Sequence, residues 1–338
     1  MITIEKQYSL LLHNTFRFNV KADTFIEYSS TDDLKQILSD KELISEPYLQ
    51  IGSGSNLLFT SDYKGTILHS RIHGIEIIEN ADDYVLVKVG AGVEWDEFVA
   101  HCVAQGWAGA ENLSLIPGEV GASAVQNIGA YGVEAKDLIT QVDTLEIATA
   151  KERTFSNAEC NYSYRQSIFK SELKNKFIVT YVTYKLNKHA VFNLEYGNIK
   201  AELEKYPEIS LTTIRQAIID IRNSKLPDPK IEGNAGSFFM NPIIPRSQFQ
   251  ELQTQFPNIP HYDVDEDRVK VPAGWMIDKC GWKGKTVGHV GVHSQQALVL
   301  VNRGGATGDE IVNLSKEIQA SVKKLFNIEI HPEVNFIS

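Results

Sequence analysis

Lys225–Pro242 reads Lys-Leu-Pro-Asp-Pro-Lys-Ile-Glu-Gly-Asn-Ala-Gly-Ser-Phe-Phe-Met-Asn-Pro, and it divides the chain. Before it, Thr212–Ser224 carries Ile214, Ile218 and Ile221 on one stripe, which predicts an amphipathic helix. Pro227 and Pro229 end that helix, because proline lacks the N–H a helix interior needs and restricts the residue before it. The chain must therefore turn. Gly233 and Gly236 open backbone angles closed to other residues, and Ser237 follows with two bulky apolar residues behind it. Two readings stand at this point. Ser237 is a hydroxyl presented from a rigid support for chemistry, or it belongs to an interdomain turn and bonds its own backbone.

Upstream, Thr31–Asp40 predicts a short helix with Thr31 as its N-cap. Tyr48–Phe59 is a strand-like run entering a glycine-serine turn, Gly52–Asn56. A dinucleotide fingerprint would need a third glycine at position 57 and a helix after it, but Leu57 stands there, so a Rossmann unit is disfavoured. The turn either gathers phosphate oxygens on backbone N–H groups and the Ser53, Ser55 and Asn56 side chains, or simply joins two strands. Strands are expected at Ile75–Ile78 and Tyr84–Val89, and a helix at Val93–Gly106 ended by its glycine. Leu115–Gly132 reads as a loop with four glycines and no charge except Glu119, suited to packing backbone flat against a planar ligand. Arg165, flanked by aromatics in Asn161–Lys170, is either a surface cation–π partner or a carboxylate clamp.

Downstream, Ser247–Phe256 and Pro272–Cys280 predict helices and Ala297–Val301 a buried strand. Thr307 and Glu310 have capping-box spacing, with Ile311, Leu314, Ile318, Val322 and Leu325 repeating behind them. His289 and His293 sit beside Gly288 and Gly291, so helical metal-ligand spacing is not expected and no metal site is assigned. Ile328–Ile337 predicts a strand broken at Pro332, where Glu333 is either exposed or functional, since an unpaired buried carboxylate is costly.

With 338 residues the chain has room for two or three domains. Apolar residues make up 43% and charged residues 22%, and no apolar run approaches the ~18 residues of a membrane helix. The amino-terminal residues do not read as a signal peptide, so a cytoplasmic location is expected, with no membrane partner. Three cysteines without a Cys-x-x-Cys pair argue against a disulfide framework and a structural zinc site. A net charge of −10 disfavours nucleic acid but leaves room for an anionic small molecule in a local pocket.

Ile51–Asn56, Ile116–Gly132, Tyr164–Phe169, Lys225–Pro229, Asn234–Pro242, His293–Leu298 and Pro332–Val334, in that order, resemble the motifs of the UDP-N-acetylenolpyruvoylglucosamine reductase family, flavoenzymes of bacterial wall synthesis. The resemblance spans nearly the whole chain. Glu119, Ala124 and Met240 stand where it leads one to expect a small or polar residue, a proline and a lysine. It implies an α+β fold: a two-lobed FAD-binding domain of the vanillyl-alcohol-oxidase/PCMH type over residues 1–225 (lobes about 1–70 and 71–225) and a smaller α+β substrate-binding domain over 226–326. A carboxy-terminal strand, 327–338, would return to the active site.

The resemblance further implies noncovalent FAD, with NADPH as hydride donor. The flavin would be held by Gly52, Ser53, Gly54, Ser55 and Asn56, and by Ile116, Pro117, Gly118, Gly121, Ala122, Gln126, Asn127, Gly129 and Tyr131. Tyr164, Tyr196, Lys225, Asn241 and Gln296 would contact the substrate, UDP-N-acetylglucosamine enolpyruvate. Glu195–Asn198 is similar to the form of the family with a tyrosine loop, in which Tyr196 closes over the substrate diphosphate. Ser237 would protonate carbon, while Arg165 and Glu333 stabilise the anion formed on the substrate. A monomer is expected. Two competing classes share part of this pattern: an FAD oxidase of the same fold, which needs no UDP pocket, and a non-catalytic nucleotide-sugar binder, which needs no FAD.

Overall fold

Lys21–Tyr28 puts Ala22, Thr24, Ile26 and Tyr28 on one buried face, the period of two that makes a strand. It is the second strand of a four-stranded sheet ordered Ile2–Ser9, Lys21–Tyr28, Tyr63–Ser70, Tyr48–Ile51. The first pair is antiparallel and the other two are parallel. The computed structural model describes every residue except Lys41, Ser45 and Tyr196. Chain contacts separate two units: Met1–Ser9, Lys21–Gly54 and Tyr63–Ser224 form the first, while Leu10–Val20, Ser55–Asp62 and Lys225–Ser338 form the second. The boundary near Leu226 is therefore accompanied by two short amino-terminal segments that pack with the carboxy-terminal residues. Each unit mixes helices with sheets, an α+β architecture.

In the first unit a second sheet runs Glu152–Ser156, Ile139–Glu146, Phe177–Asn187, Tyr84–Gly90, Ile75–Asn80, antiparallel throughout. Val85, Val87, Val89, Val142 and Val182 face one core with Trp95 and Phe98 of the helix Trp95–Ala104. Gly106 (φ 74°) lies just past the end of that helix. The short helix Thr31–Ser39 is capped by Ser30 rather than Thr31: the Ser30 hydroxyl accepts from the Asp33 N–H at 3.0 Å. Leu115–Gly132 also departs from expectation. Val120–Gln126 is a helix, closed by Asn127 in the left-handed region (φ 45°).

The second unit is built on the sheet Gly233–Ser237, Val299–Asn302, Val290–Val292, Thr286–Val287, with the helix Gly308–Phe326 burying Ile311, Leu314, Ile318 and Val322 in its core. The capping box forms, with Thr307 and Glu310 each accepting from the other's backbone N–H. Of the expected strand Ile328–Ile337, Asn335–Ile337 pairs parallel to Leu57–Phe59, and Pro332 forms a single antiparallel bridge to Phe239. Gly308 meets that early strand so closely that a Cβ would lie 2.0 Å from the Phe59 carbonyl oxygen. Gly308→Ala is expected to cost about 3 kcal/mol of stability, the upper end for overpacking, because the obstacle is backbone. Denaturant unfolding checks this, and an unchanged midpoint would refute the close approach. Among the described residues no helix is long and apolar enough to cross a membrane.

Candidate functional site

Ser237 ends its strand, exposed, with Phe238 and Phe239 buried directly behind it. The register slips between Asn234 and Ser237, where Gly236 adopts φ 66°. Asn234 holds the bend: its Oδ1 accepts from the Gly236 N–H at 2.9 Å, and its amide donates to the Glu232 carbonyl at 2.8 Å. A bulge of this kind re-aims a side chain. The reading in which the serine bonds its own backbone is not met, since its hydroxyl makes no hydrogen bond to a described residue. Beside it runs the segment with Glu333, whose N–H donates to the Phe238 carbonyl at 2.8 Å and whose carbonyl accepts from Asn56 Nδ2 at 3.2 Å. Backbone bonds thus bring Ser237 and half-buried Glu333 together in the second unit. The Asn56 carbonyl also receives the Asn335 N–H at 3.0 Å, so Asn56 is fixed to the same segment.

Asn241 and Gln296 converge on the start of the helix Ala273–Lys279. Asn241 Oδ1 accepts from the Ala273 N–H at 2.9 Å, and a Cβ on Gly274 would stand 3.2 Å from Gln296 Oε1. The Asn241 oxygen is held by that N–H and the Gln296 oxygen by the Leu298 N–H at 3.3 Å. Lys225 is exposed at the end of Leu211–Lys225. Tyr196 lies outside the described residues.

In the first unit, Gly52, Ser53 and Gly54 follow the strand Tyr48–Ile51, and Gly54 takes φ 72°. The Ser53 hydroxyl is buried with no partner, a costly state for a polar atom. Arg165 is strained into the left-handed region (φ 58°), as are Leu115, Asn127 and Tyr131, and strain of that kind concentrates at ligand-holding segments. Its guanidinium bonds the Gly129 carbonyl at 2.6 Å and sits 5.4 Å from the Tyr164 ring. A Cβ on Gly129 would lie 2.9 Å from Arg165 Nη1 and 3.0 Å from the Val133 carbonyl oxygen. The aromatic-partner reading of Arg165 is met, with the guanidinium also fixed to the glycine-rich segment.

Two residues in that segment turn out to be structural. Asn127 spends its amide on the Glu134 carboxylate at 3.0 Å and the Ser163 carbonyl at 2.8 Å, while its Oδ1 accepts from the Lys136 N–H at 3.1 Å. Its side chain shapes the segment rather than reaching a ligand. Gly121 backs onto Ala91, where a Cβ would be 2.9 Å from the alanine Cβ. Tyr131 is partly buried, and burial pushes its hydroxyl pKa up.

Sequence reasoning missed Arg222, one residue beyond the Ile214–Ile221 stripe. Its Nε is buried without a partner, and burial pulls its pKa below the ordinary guanidinium value, while Tyr131 and Asp96 oppose that. Also missed was Asp96, held by Arg215 at 2.6 and 2.8 Å. Burial would raise the Asp96 pKa, but Arg215 and the Leu115 N–H hold it below the usual range. The available signal was a pair of arginines, Arg215 and Arg222, each next in sequence to an isoleucine of the aliphatic stripe.

Residues 228–337 match the family model described as UDP-N-acetylenolpyruvoylglucosamine reductase, C-terminal domain, and residues 22–156 match an FAD binding domain. A UDP-N-acetylenolpyruvoylglucosamine reductase of Bacteroides fragilis is 59% identical over 99% of this chain and 100% of its own. One from Flavobacterium johnsoniae is 49% identical over 99% of each. The crystal structure of UDP-N-acetylenolpyruvylglucosamine reductase from Thermus caldophilus covers 100% of both chains with a TM-score of 0.71 at 20% identity, a likeness of fold.

Proposed function

The chain belongs to the UDP-N-acetylenolpyruvoylglucosamine reductase family, and from that premise we propose how its residues divide the reaction. The protein is an FAD-dependent oxidoreductase of peptidoglycan precursor synthesis, reducing UDP-N-acetylglucosamine enolpyruvate to UDP-N-acetylmuramate with NADPH. FAD, when bound, relays the reducing equivalents of NADPH to the vinyl carbon of the enol ether. The residues present fit that cofactor. Ser53 offers a buried, unpartnered hydroxyl beside the backbone of Gly52 and Gly54, as a diphosphate requires, with Ser55 and Asn56 completing the turn. Ile116, Pro117, Gly118, Ala122, Gln126, Gly129 and Tyr131 supply a small-residue surface for the flavin ring, which Gly121 and Asn127 hold in shape.

The observation that carries the catalytic assignment is Ser237 itself, an exposed hydroxyl on a bulged strand end braced by two buried phenylalanines and by the Glu333 backbone. Reduction leaves negative charge on the substrate carbon next to its carboxylate. Arg165 binds that carboxylate; five N–H donors make its anchoring to Gly129 compatible with a bidentate contact. Glu333, protonated, donates to the same group, and Ser237 Oγ delivers the proton to carbon. Lys225 and Tyr196 bind the substrate diphosphate, Asn241 and Gln296 donate their amide N–H groups to the nucleotide sugar, and Tyr164 packs beside Arg165. The protein acts as a monomer in this reading, and the nucleotide substrates support a cytoplasmic location.

Anaerobic mixing tests the reading. NADPH is expected to bleach the holoenzyme and the enolpyruvyl substrate to restore its colour; colour restored by oxygen alone would make it an oxidase. Acid precipitation is expected to leave yellow FAD in the supernatant, whereas flavin in the pellet would mean a covalent tether.

A further inference from the structure

Glu119, the one charge in the glycine-rich segment, is 5% exposed. Its Oε1 lies 2.9 Å from His69 Nε2, and His69 Nδ1 lies 2.9 Å from Glu27 Oε1. With both glutamates ionised their oxygens only accept, so both ring nitrogens carry hydrogen and the ring is an imidazolium between two carboxylates. A neutral imidazole has one N–H, and would set lone pair against lone pair at one of the two contacts. Burial alone would drive the proton off His69, but Glu119 and Glu27 outweigh it and hold the pKa above the ordinary histidine value. Glu94, exposed, has its pKa raised by desolvation and then by Glu119 and Glu97, with His69 and Arg71 opposing, and the Tyr28 hydroxyl is pushed up by burial. The Phe25 ring flanks His69 at 5.9 Å.

The second oxygen of Glu119 points elsewhere: a Cβ on Gly52 would lie 3.1 Å from its Oε2. A buried carboxylate therefore stands against the first residue of the turn whose Ser53 hydroxyl has no partner. An anionic ligand on that turn would meet this charge at short range unless a cation cancelled it.

We propose that His69 is a positioning residue for FAD: held between Glu27 and Glu119, its positive charge cancels the carboxylate behind Gly52 and lets the turn accept the cofactor's diphosphate. The proposal rests on the reading that this turn holds that diphosphate. Loss of the His69 proton leaves two carboxylates uncompensated, so FAD retention is full at low and neutral pH and falls as pH rises through the elevated His69 pKa.

Dilution of the holoenzyme, with FAD release followed by recovery of flavin fluorescence, tests this across pH. His69→Gln is expected to weaken retention about tenfold at neutral pH, the order expected for an uncompensated charge near a partly screened anion. Glu119→Gln is expected to hold FAD at least as well as wild type and to lose the alkaline decline. The double variant is expected to return to the Glu119→Gln level, a rescue that a merely structural role would not give. Additive losses in the double variant overturn the proposal. So does an unaltered alkaline decline in Glu119→Gln, which decides the matter even if His69→Gln does not fold. Ser53→Ala separates the two layers. Unchanged retention there removes the turn from FAD binding, and the proposal with it; weakened retention combined with additive losses removes the proposal alone.

Discussion

Ser237→Ala bleaches with NADPH at the wild-type rate and reoxidises with the enolpyruvyl substrate about 10³–10⁴-fold more slowly. Reduction of the flavin requires no proton on carbon, whereas the second half-reaction does, and general acid catalysis contributes roughly 10²–10⁴-fold. The upper end is expected because the hydroxyl is offered from one fixed direction, by a strand end whose bend is set by Asn234 and backed by Phe238 and Phe239. The substitution removes one exposed oxygen that bonds no described residue, so the bulge and its packing survive it. Rapid mixing with each reactant in turn provides the check. Equal slowing of both halves would mean that Ser237 serves flavin placement or folding instead.

Glu333→Ala is expected to slow the same half-reaction about 10²–10³-fold, the usual cost of removing one preorganised donor from a developing oxyanion. Glu333→Gln keeps an N–H donor and is expected to be milder, so the ordering of the two variants carries the test. Their common backbone makes the comparison clean. The Glu333 N–H and carbonyl are held by Phe238 and Asn56 whatever the side chain, and flavin reduction by NADPH is expected to remain intact in both. A glutamine variant as slow as the alanine one would show that the group acts through its charge or shape rather than as a donor.

What was legible in the sequence was periodicity and local chemistry. The stripes in Leu211–Lys225 and Gly308–Phe326 repeat every three or four residues, and the Thr307–Glu310 box forms as its spacing requires. What was not legible depended on partners distant in the chain. Val120–Gln126 looks like loop because Gly121 and Ser123 are poor helix residues, yet Gly121 is the residue that lets this helix touch Ala91. Packing overrode propensity there. Ser30 took the cap that Thr31 was expected to hold, since both hydroxyls satisfy the local rule and only the backbone path decides. At the site, the order and composition of the motifs pointed to Ser237, Arg165 and Glu333. Arg222 and His69 are silent in sequence because each is defined by what surrounds it.

The pairing of Asn335–Ile337 with Leu57–Phe59 sets an order on biosynthesis. As the chain leaves the ribosome, Leu57–Phe59 emerges early and has no strand to lie against until nearly all of the polypeptide has been made. Thr15 and Phe16 wait a shorter time, until their carbonyls meet the Asn234 N–H and Gly233. Contacts this remote close slowly, because the entropy of a long loop must be lost before they form. The stretch containing Phe16 and Phe18 is thus uncovered until the chain reaches Gly233, while Leu58 and Phe59 stay uncovered until it reaches Asn335. Nascent chains stalled short of Asn335 would expose them, and would be the species that chaperones hold.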